Sequence, residues 1–210
     1  MSNSYKSIIR HYESCLALHG DTHRGVDWPN AYDAGIRYRV MLDVVRSNGG
    51  PKTLLDFGCG ASHLYQYILD NDVQGLCYAG LDASRAFIDL SERKYPENNY
   101  ICLDVMIEPN KLEMYDYVVM NGVFTEKCEL SFDAMYDYFV KVLTIVFTKV
   151  RVGMAFNVMS KQVDYERNDL FHVPIEKLTN FLVKYLSRHY IVRNDYGLYE
   201  YTVYVYKEPQ

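Results

Sequence analysis

The residues best suited to chemistry lie together between Thr53 and Leu64, a stretch that reads TLLDFGCGASHL. An apolar run that predicts a buried strand leads to Asp56, then to Gly58 and Gly60, and then to an amphipathic segment that predicts a helix. The glycines allow a ligand to approach the backbone closely, and the helix N-terminus offers unpaired N–H groups with a partial positive charge. The stretch therefore predicts a binding loop for a small molecule.

The acid in this loop argues against a phosphate ligand, because the Asp56 carboxylate would repel it. The dinucleotide-binding pattern requires a third glycine where this chain has His63, and the phosphate-loop pattern requires a lysine that the loop lacks. S-adenosylmethionine (SAM) carries a ribose, a carboxylate, an ammonium and a sulfonium. We expect Asp56 to hold the ammonium and the helix N-terminus to face the carboxylate.

Four segments in order resemble the class I SAM-dependent methyltransferases, and the resemblance covers roughly residues 50–206. The D-x-G-x-G sequence after the first strand resembles their motif I. The next two segments, YAGLDA at 78–83 and YICLD at 100–104, resemble their second and third strands, and YDYVVMNGVF at 115–124 resembles motif IV. One departure is Ser62, where the family often has a third glycine.

The resemblance implies a role for the acid at each strand end. Asp82 would bind both ribose hydroxyls, and Asp104 would accept a hydrogen bond from the adenine amino group. The predicted cofactor-binding residues are Asp56, Gly58, Cys59, Gly60, Asp82, Ala83, Asp104, Val105 and Asn121. Each acid could instead be structural: Asp82 as a helix N-cap, Asp56 as an acid that bonds the loop's own N–H groups, and Asp104 as a solvated turn residue.

The alternation of strand and helix patterns from residue 53 onward predicts a parallel sheet with its ligand crevice at the carboxyl ends of the strands. With the family resemblance, this predicts an α/β, Rossmann-like fold with a seven-stranded, mostly parallel sheet, helices on both faces and an antiparallel C-terminal hairpin strand. We expect an N-terminal helical cap over 1–50 and a SAM-binding domain over 51–210. Strands are predicted near 53–57, 76–81, 99–103, 115–120 and 151–158, and helices near 4–18, 31–47, 61–70, 84–94, 131–149 and 174–187.

Two polar loops, 19–30 and 160–173, are predicted to hold the methyl acceptor between them. Trp28 and Tyr165 would supply apolar walls, and Arg167 would hold an anionic group. The alternative for Trp28 is that it packs the two N-terminal helices together. His172 is the predicted general base for a hydroxyl acceptor, and its alternative is a structural histidine bonded to backbone.

No metal site is predicted, because His19, Asp21 and His23 have the spacing of possible ligands without any partner motif. The five cysteines are scattered with no C-x-x-C pair, which indicates reduced thiols and a cytoplasmic location. The formal net charge of −5 and the lack of a basic cluster argue against nucleic acid or a membrane surface as a partner.

The predicted function is SAM-dependent methyl transfer to an oxygen or nitrogen of a small polar acceptor, such as a sugar, a glycan precursor or an amine. Two alternatives remain open. One is an NAD(P)-dependent oxidoreductase with an acid on the ribose, and the other is a SAM-binding module that has lost catalysis.

Overall fold

A mostly parallel β-sheet forms the centre of the computed structural model, which describes residues 4–46 and 49–209. Its strands are β1 (Lys52–Phe57), β2 (Leu76–Asp82), β3 (Asn99–Cys102), β4 (Tyr115–Phe124), β5 (Val150–Ser160), β6 (His172–Val173), β7 (His189–Arg193) and β8 (Glu200–Tyr206). The strand order is β3-β2-β1-β4-β5-β8-β7, and the two-residue β6 pairs with β5 beside this path. Strand β8 runs antiparallel to its two neighbours, β5 and β7.

The fold class is confirmed, with one small difference in the strand count. The continuous path has the seven strands predicted, and the short β6 makes the described sheet eight-stranded. The predicted parallel strands begin close to the observed ones, but β4 extends beyond the predicted 115–120 to Phe124. The register with β5 shifts between Met120 and Phe124, where Gly122 has a positive φ of 81°. A glycine normally weakens a strand, so the sequence predicts that β4 ends before Gly122. In the structure the strand bulges at this glycine and continues.

Six α-helices flank the sheet in the described part of the chain, and each begins close to its predicted start. They are α1 (Lys6–His19), α2 (Ala31–Leu42), α3 (His63–Asp70), α4 (Arg85–Lys94), α5 (Phe132–Phe147) and α6 (Ile175–Phe181). A π-helical turn, Leu182–Leu186, continues α6. The predicted end of the second helix and the loop after it include residues 47 and 48, which lie outside the described residues. None of the helices within 4–46 and 49–209 is long and apolar enough to cross a membrane.

The core consists of two apolar layers, one on each face of the sheet. Helix α5 packs against one face through Phe139, Val142 and other side chains that are fully buried. Helix α2 packs against the other face through Val40 and Met41. Because both faces are covered, the central strands are apolar on both sides, as in other parallel sheets. Helix α2 is therefore part of the sheet's core, although the predicted cap at 1–50 included it.

Candidate cofactor site

A cavity opens at the carboxyl ends of β1, β2, β3 and β4, which is the edge predicted for the ligand. It contains about 1050 Å³ of space free of protein atoms, including its open mouth. The structure brings together all nine residues predicted to bind the cofactor, which all line this cavity: Asp56, Gly58, Cys59, Gly60, Asp82, Ala83, Asp104, Val105 and Asn121. Residues that are far apart in sequence meet here because parallel strands end at one edge.

The loop after β1 has a conformation that depends on its glycines. Gly58 has a φ of +75°, and a Cβ atom there would lie 2.6 Å from Val123 Cγ2. The backbone N–H groups of Gly58 and Cys59 both donate to the carbonyl oxygen of Leu81, at 2.7 and 3.0 Å. The loop is thereby fixed to the end of β2. A side chain at position 58 would have to displace Val123 and accept a strained backbone.

Ser62 occupies the left-handed conformation that explains why the family often has glycine at this position. Its φ is +57° and its side chain is fully buried. The Ser62 hydroxyl lies 2.8 Å from Ser91 Oγ and 3.0 Å from the Tyr100 hydroxyl, and Ser91 Oγ donates to the Gly60 carbonyl oxygen. These hydrogen bonds offset the strain of a non-glycine residue at this position.

Asp82 links the loop to the end of β2. Its Oδ2 accepts from the backbone N–H of Gly60 at 3.0 Å, and its Oδ1 accepts from that of Ser84 at 2.8 Å. Burial raises the pKa of Asp82 to about 6, although both backbone bonds favour the carboxylate. Each oxygen keeps a further lone pair, so the observed bonds leave room for ribose hydroxyls.

Asp56 lies deeper, with only 3% of its surface exposed. Its Oδ2 accepts a hydrogen bond of 2.8 Å from the Tyr78 hydroxyl. Burial raises the pKa of Asp56 to about 7; the Tyr78 bond opposes this shift and the charge of Asp82 adds to it. Two neighbouring acids of the cavity thus resist ionisation in the ligand-free protein, and a ligand cation would relieve this cost.

Asp104 follows β3 and contacts the N-terminal helix region. Its Oδ1 accepts from the backbone N–H of Met106 at 3.0 Å, and its Oδ2 accepts from the Tyr5 hydroxyl at 2.8 Å. The Tyr5 ring stacks on Tyr138, with centroids 5.0 Å apart and planes 7° apart. Both tyrosines line the cavity beside Asp104. Sequence reasoning missed them, because neither lies near a motif.

Asn121 lines the cavity and has a side-chain oxygen without a hydrogen-bond partner. Its side-chain oxygen is buried and has no hydrogen-bond partner among the described residues. The next residue, Gly122, donates its N–H to Asn157 Oδ1 at 2.8 Å, which fixes the backbone on this side. An unpaired amide oxygen calls for a donor, so Asn121 fits a ligand that carries an ammonium group.

The segment before α2 covers part of the cavity. Residues of α1 line it, and the Tyr12 hydroxyl donates to the Gly122 carbonyl oxygen at 3.1 Å. Trp28 also lines it, and a Cβ at Gly122 would lie 2.7 Å from the Trp28 ring. The Arg37 guanidinium lies 4.2 Å above the Trp28 ring. We call residues 5–28, which carry these contacts, the lid.

The lid is also joined to the region of the motif I loop by a hydrogen bond and an ion pair of Asp21. Asp21 lies 2.8 Å from His63 Nε2 and 2.9 Å from Lys94 Nζ. Lys94 Nζ donates in turn to the Ala61 carbonyl oxygen at 2.7 Å. Asp21 therefore pairs with residues after β1 rather than with His19 and His23.

The structure does not bring three predicted site residues to the cavity. The Tyr165 side chain is 76% exposed, and Arg167 Nε pairs with Asp169 Oδ1 at 3.1 Å. His172 is buried in the pairing of β5 with β6. Its Nδ1 lies 2.6 Å from the Ser160 carbonyl oxygen, and its Nε2 accepts from the Arg167 N–H at 3.3 Å.

Both ring nitrogens of His172 are therefore bonded to backbone, the arrangement of the structural alternative. In the described structure the ring's hydrogen bonds go to Ser160 and Arg167, and neither goes to a carboxylate that could orient the ring as a base. His172 pairs with Met159 of β5 and is not among the residues that line the cavity. Trp28, in contrast, reaches the cavity as predicted.

Comparison with known proteins agrees with this geometry. No protein-family model matches the chain. A protein of Mycobacterium tuberculosis strain H37Rv, described as "Putative methyltransferase Rv1506c", is 25% identical over 164 residues, which span 75% of this chain and 94% of that protein.

Solved structures show the same architecture at low sequence identity. Magnesium protoporphyrin IX methyltransferase (ChlM) from Synechocystis PCC 6803, solved with bound SAM, is 13% identical with a TM-score of 0.64, covering 99% of each chain. The plantazolicin methyltransferase BamL, solved with a triazolic desmethylPZN analog and SAH (S-adenosylhomocysteine), is 12% identical with a TM-score of 0.64, covering 96% of this chain and 98% of that one. The chain therefore shares the fold of these methyltransferases, which is the fold that the family resemblance implied.

Proposed function

We propose that this protein is a SAM-dependent methyltransferase that acts on an oxygen or nitrogen of a small polar acceptor. The observation that supports this most is the meeting of Asp56, Asp82 and Asp104 on one cavity wall with the unpaired oxygen of Asn121. Three carboxylates and an amide oxygen are all acceptors, which suits a ligand rich in hydroxyl and amine donors. A pyrophosphate-bearing dinucleotide would instead meet repulsion at Asp56, in the loop where its phosphates would lie.

Different residues of the cavity can bind different groups of SAM. Asp82 would accept from the ribose hydroxyls, Asp104 from the adenine amine, and Asp56 with Asn121 would face the methionine ammonium. When bound, SAM supplies a methyl group already activated by its sulfonium. The chain's own task is then to align the acceptor and exclude water, for which the lid is suited.

The acceptor is proposed to enter beside Tyr12, Trp28 and Gly122, where the lid meets the end of β4. A sugar hydroxyl would need a general base, whereas an amine can lose its proton to water. Because His172 has both ring nitrogens bonded to backbone, a nitrogen acceptor is favoured over an oxygen acceptor. Magnesium protoporphyrin IX and the desmethylPZN analog are named for the two solved structures, and neither is proposed as the acceptor of this chain.

Calorimetric titration with SAH tests the cofactor assignment, with NADH as the competing ligand. We expect SAH to bind and NADH not to bind. Asp82→Ala should weaken SAH binding at least about tenfold, since it removes charge-assisted hydrogen bonds of about 1.5–3 kcal/mol each. NADH binding with no SAH binding would support the oxidoreductase instead.

Asp116→Ala is the matched control for Asp82→Ala. Asp116 also accepts two hydrogen bonds, from the Thr53 N–H at 2.9 Å and the Thr53 hydroxyl at 3.0 Å. It lies at the opposite edge of the sheet, near the start of β4. We expect this variant to lose stability without losing SAH affinity. If both variants weaken binding equally, the effect of Asp82 is structural.

We further propose that residues 5–28 act as a lid that closes on the bound ligand, replacing the cap predicted for 1–50. The exposed Arg24 lies in the short 3-10 turn His23–Val26 of this lid and offers a site for trypsin. SAH should slow cleavage after Arg24, because a ligand in the cavity adds contacts to the lid. Cleavage after Arg167, on a loop outside the cavity, is the control and should keep its rate.

A further inference from the structure

A second group of reactive side chains lies on the lid, apart from the cavity wall. His11 and Cys15 are four residues apart on α1, and Asp27 follows the 3-10 turn. His11 Nε2 lies 2.7 Å from Asp27 Oδ2 and 3.8 Å from Cys15 Sγ. One ligand atom from each of the three residues can be chosen so that all lie within 4.8 Å of one another. We propose that these residues form a binding site for a divalent transition metal of the zinc class.

The donor types fit this class of ion. A thiolate, an imidazole and a carboxylate are the three side-chain ligands that Zn²⁺ uses, and three protein ligands leave a fourth position open. Residues four apart on a helix share one face, so α1 presents His11 and Cys15 together. The turn brings Asp27 to that face in a left-handed conformation, with φ of 59°.

Two of the three ligand distances are near those of a metal site, and the third, between Cys15 and Asp27, is within 4.8 Å. Two ligands bound at 2.0–2.3 Å in a tetrahedron lie about 3.3–3.7 Å apart. The pair His11 and Cys15, now at 3.8 Å, is already close to this separation. The His11–Asp27 pair, now at 2.7 Å, would open by about 0.6–0.9 Å, exchanging a hydrogen bond for two metal bonds. The side chains of His11 and Asp27 are 37% and 33% exposed, so an ion can reach them.

The surroundings of the group carry an excess of acidic side chains. Glu126 is half-buried, and its carboxylate has no hydrogen bond or ion pair among the described residues. Burial, then the charges of Asp27 and Asp169, raise the pKa of Glu126 to about 7, while Arg167 and His11 oppose this.

The carboxylates of Asp27, Glu126 and Asp169 repel one another in the protein without an ion. Asp169 is paired with the Arg167 guanidinium, whereas Glu126 has no ion pair among the described residues. A bound divalent cation would reverse that repulsion. Binding releases the Cys15 proton to solvent as the sulfur–metal bond forms, so the charge balances with no oxidant or reductant.

The site would join two parts of the lid. It would connect α1, which carries Tyr12, to the turn that carries Trp28. Both residues contact the end of β4. The metal would therefore fix the lid's internal shape without touching the cofactor residues. This role is separate from the proposed methyl transfer, because neither requires the other.

Titration of the full-length protein with Co²⁺ tests the site directly. We expect one equivalent to bind with micromolar affinity or tighter, with a thiolate-to-cobalt charge-transfer band and the strong visible bands of tetrahedral cobalt. Zn²⁺ should displace the cobalt, because it binds such donors more tightly. The absence of a charge-transfer band would overturn the proposal.

Two cysteine variants decide whether the band comes from this site. Cys15→Ala should abolish it, whereas Cys77→Ala, which removes the exposed cysteine on β2, should keep it. A band retained in Cys15→Ala, or lost in Cys77→Ala, would show adventitious binding only and overturn the site. SAH titration of Cys15→Ala checks folding, since His11 and Asp27 can still bond. Normal SAH binding with no cobalt band separates the metal site from the proposed function.

Discussion

Binding of SAH should release about one proton per protein near pH 6.5, because two acids of the cavity hold protons in the ligand-free state. Burial raises the pKa of Asp56 to about 7 and that of Asp82 to about 6. The ligand's ammonium and ribose hydroxyls favour the carboxylate forms, so binding lowers both pKa values. The ligand's own amine is already protonated at this pH and contributes no change.

The magnitude follows from the two pKa values. At about pH 6.5 a carboxyl group with a pKa of about 7 is protonated in about three-quarters of the molecules. One with a pKa of about 6 is protonated in about one-quarter, so together they carry about one proton. At about pH 8.5 their sum falls below about 0.1, and the release should vanish.

The same shifts fix the direction of the pH dependence of stability. Both folded pKa values lie above the unfolded value of about 3.9. The ligand-free folded state therefore binds these protons more tightly than the unfolded chain, and these two groups lower its stability as pH rises from about 4 to about 7. SAH affinity should change in the opposite direction and increase over that range.

Calorimetry in buffers of different ionisation enthalpy measures the proton release. The observed binding enthalpy should vary with buffer ionisation enthalpy with a slope of about one proton near pH 6.5. Asp56→Asn keeps an acceptor for the Tyr78 hydroxyl and should reduce the release to about one-quarter, the share of Asp82. Buffer-independent enthalpies in the wild-type protein would refute the reasoning, since neither acid would then be both protonated and coupled to the ligand.

Four further variants at three positions test individual contacts. Gly122→Ala should weaken SAH binding and cost about 1–2 kcal/mol of unfolding free energy, because its φ is positive and its Cβ would meet Trp28 at 2.7 Å; an unchanged denaturation midpoint would contradict this. Ser62→Ala should lower the free energy of unfolding, measured with urea, by about 1–3 kcal/mol, because it removes the buried hydrogen bonds. Ser62→Gly should lower it by about 1 kcal/mol less, since glycine relieves the left-handed strain. A glycine variant less stable than the alanine variant would exclude strain at this position. Glu200→Gln should lower the free energy of unfolding by about 3–5 kcal/mol, because it leaves the buried Arg37 charge without the carboxylate now at 2.9 Å. A loss below about 1 kcal/mol in the same assay would mean that the ion pair contributes little to stability.

The sheet and the cavity edge could be predicted well from the sequence, and the reason is local. The strand at 53–57 is short, apolar and bounded by glycines, so its pattern determines its limits. Asp56, Asp82 and Asp104 each end or follow a parallel strand, and parallel strands end at one edge whatever their neighbours are. The acids therefore meet without any knowledge of side-chain contacts.

The contacts around the cavity could not be predicted, because they depend on packing between distant segments. Tyr5 bonds Asp104 only because α1 lies over the sheet edge, and nothing in its own neighbourhood indicates that. The prediction for His172 was wrong for a related reason: the segment before it, 160–169, is polar, but the ring lies in the sheet with both nitrogens bonded to backbone. Ring orientation is a tertiary property that spacing does not determine.

The lid is made before the surface that it covers. During synthesis Tyr5 precedes its partner Asp104 by 99 residues, and Tyr12 precedes Gly122 by 110. These two hydrogen bonds cannot both form until β4 has been translated, so the first helix docks late. A segment that docks late can also detach without unfolding the sheet beneath it, which is the movement that the proposed lid requires. The order of the chain would thus supply a movable entrance to a site whose own walls stay fixed.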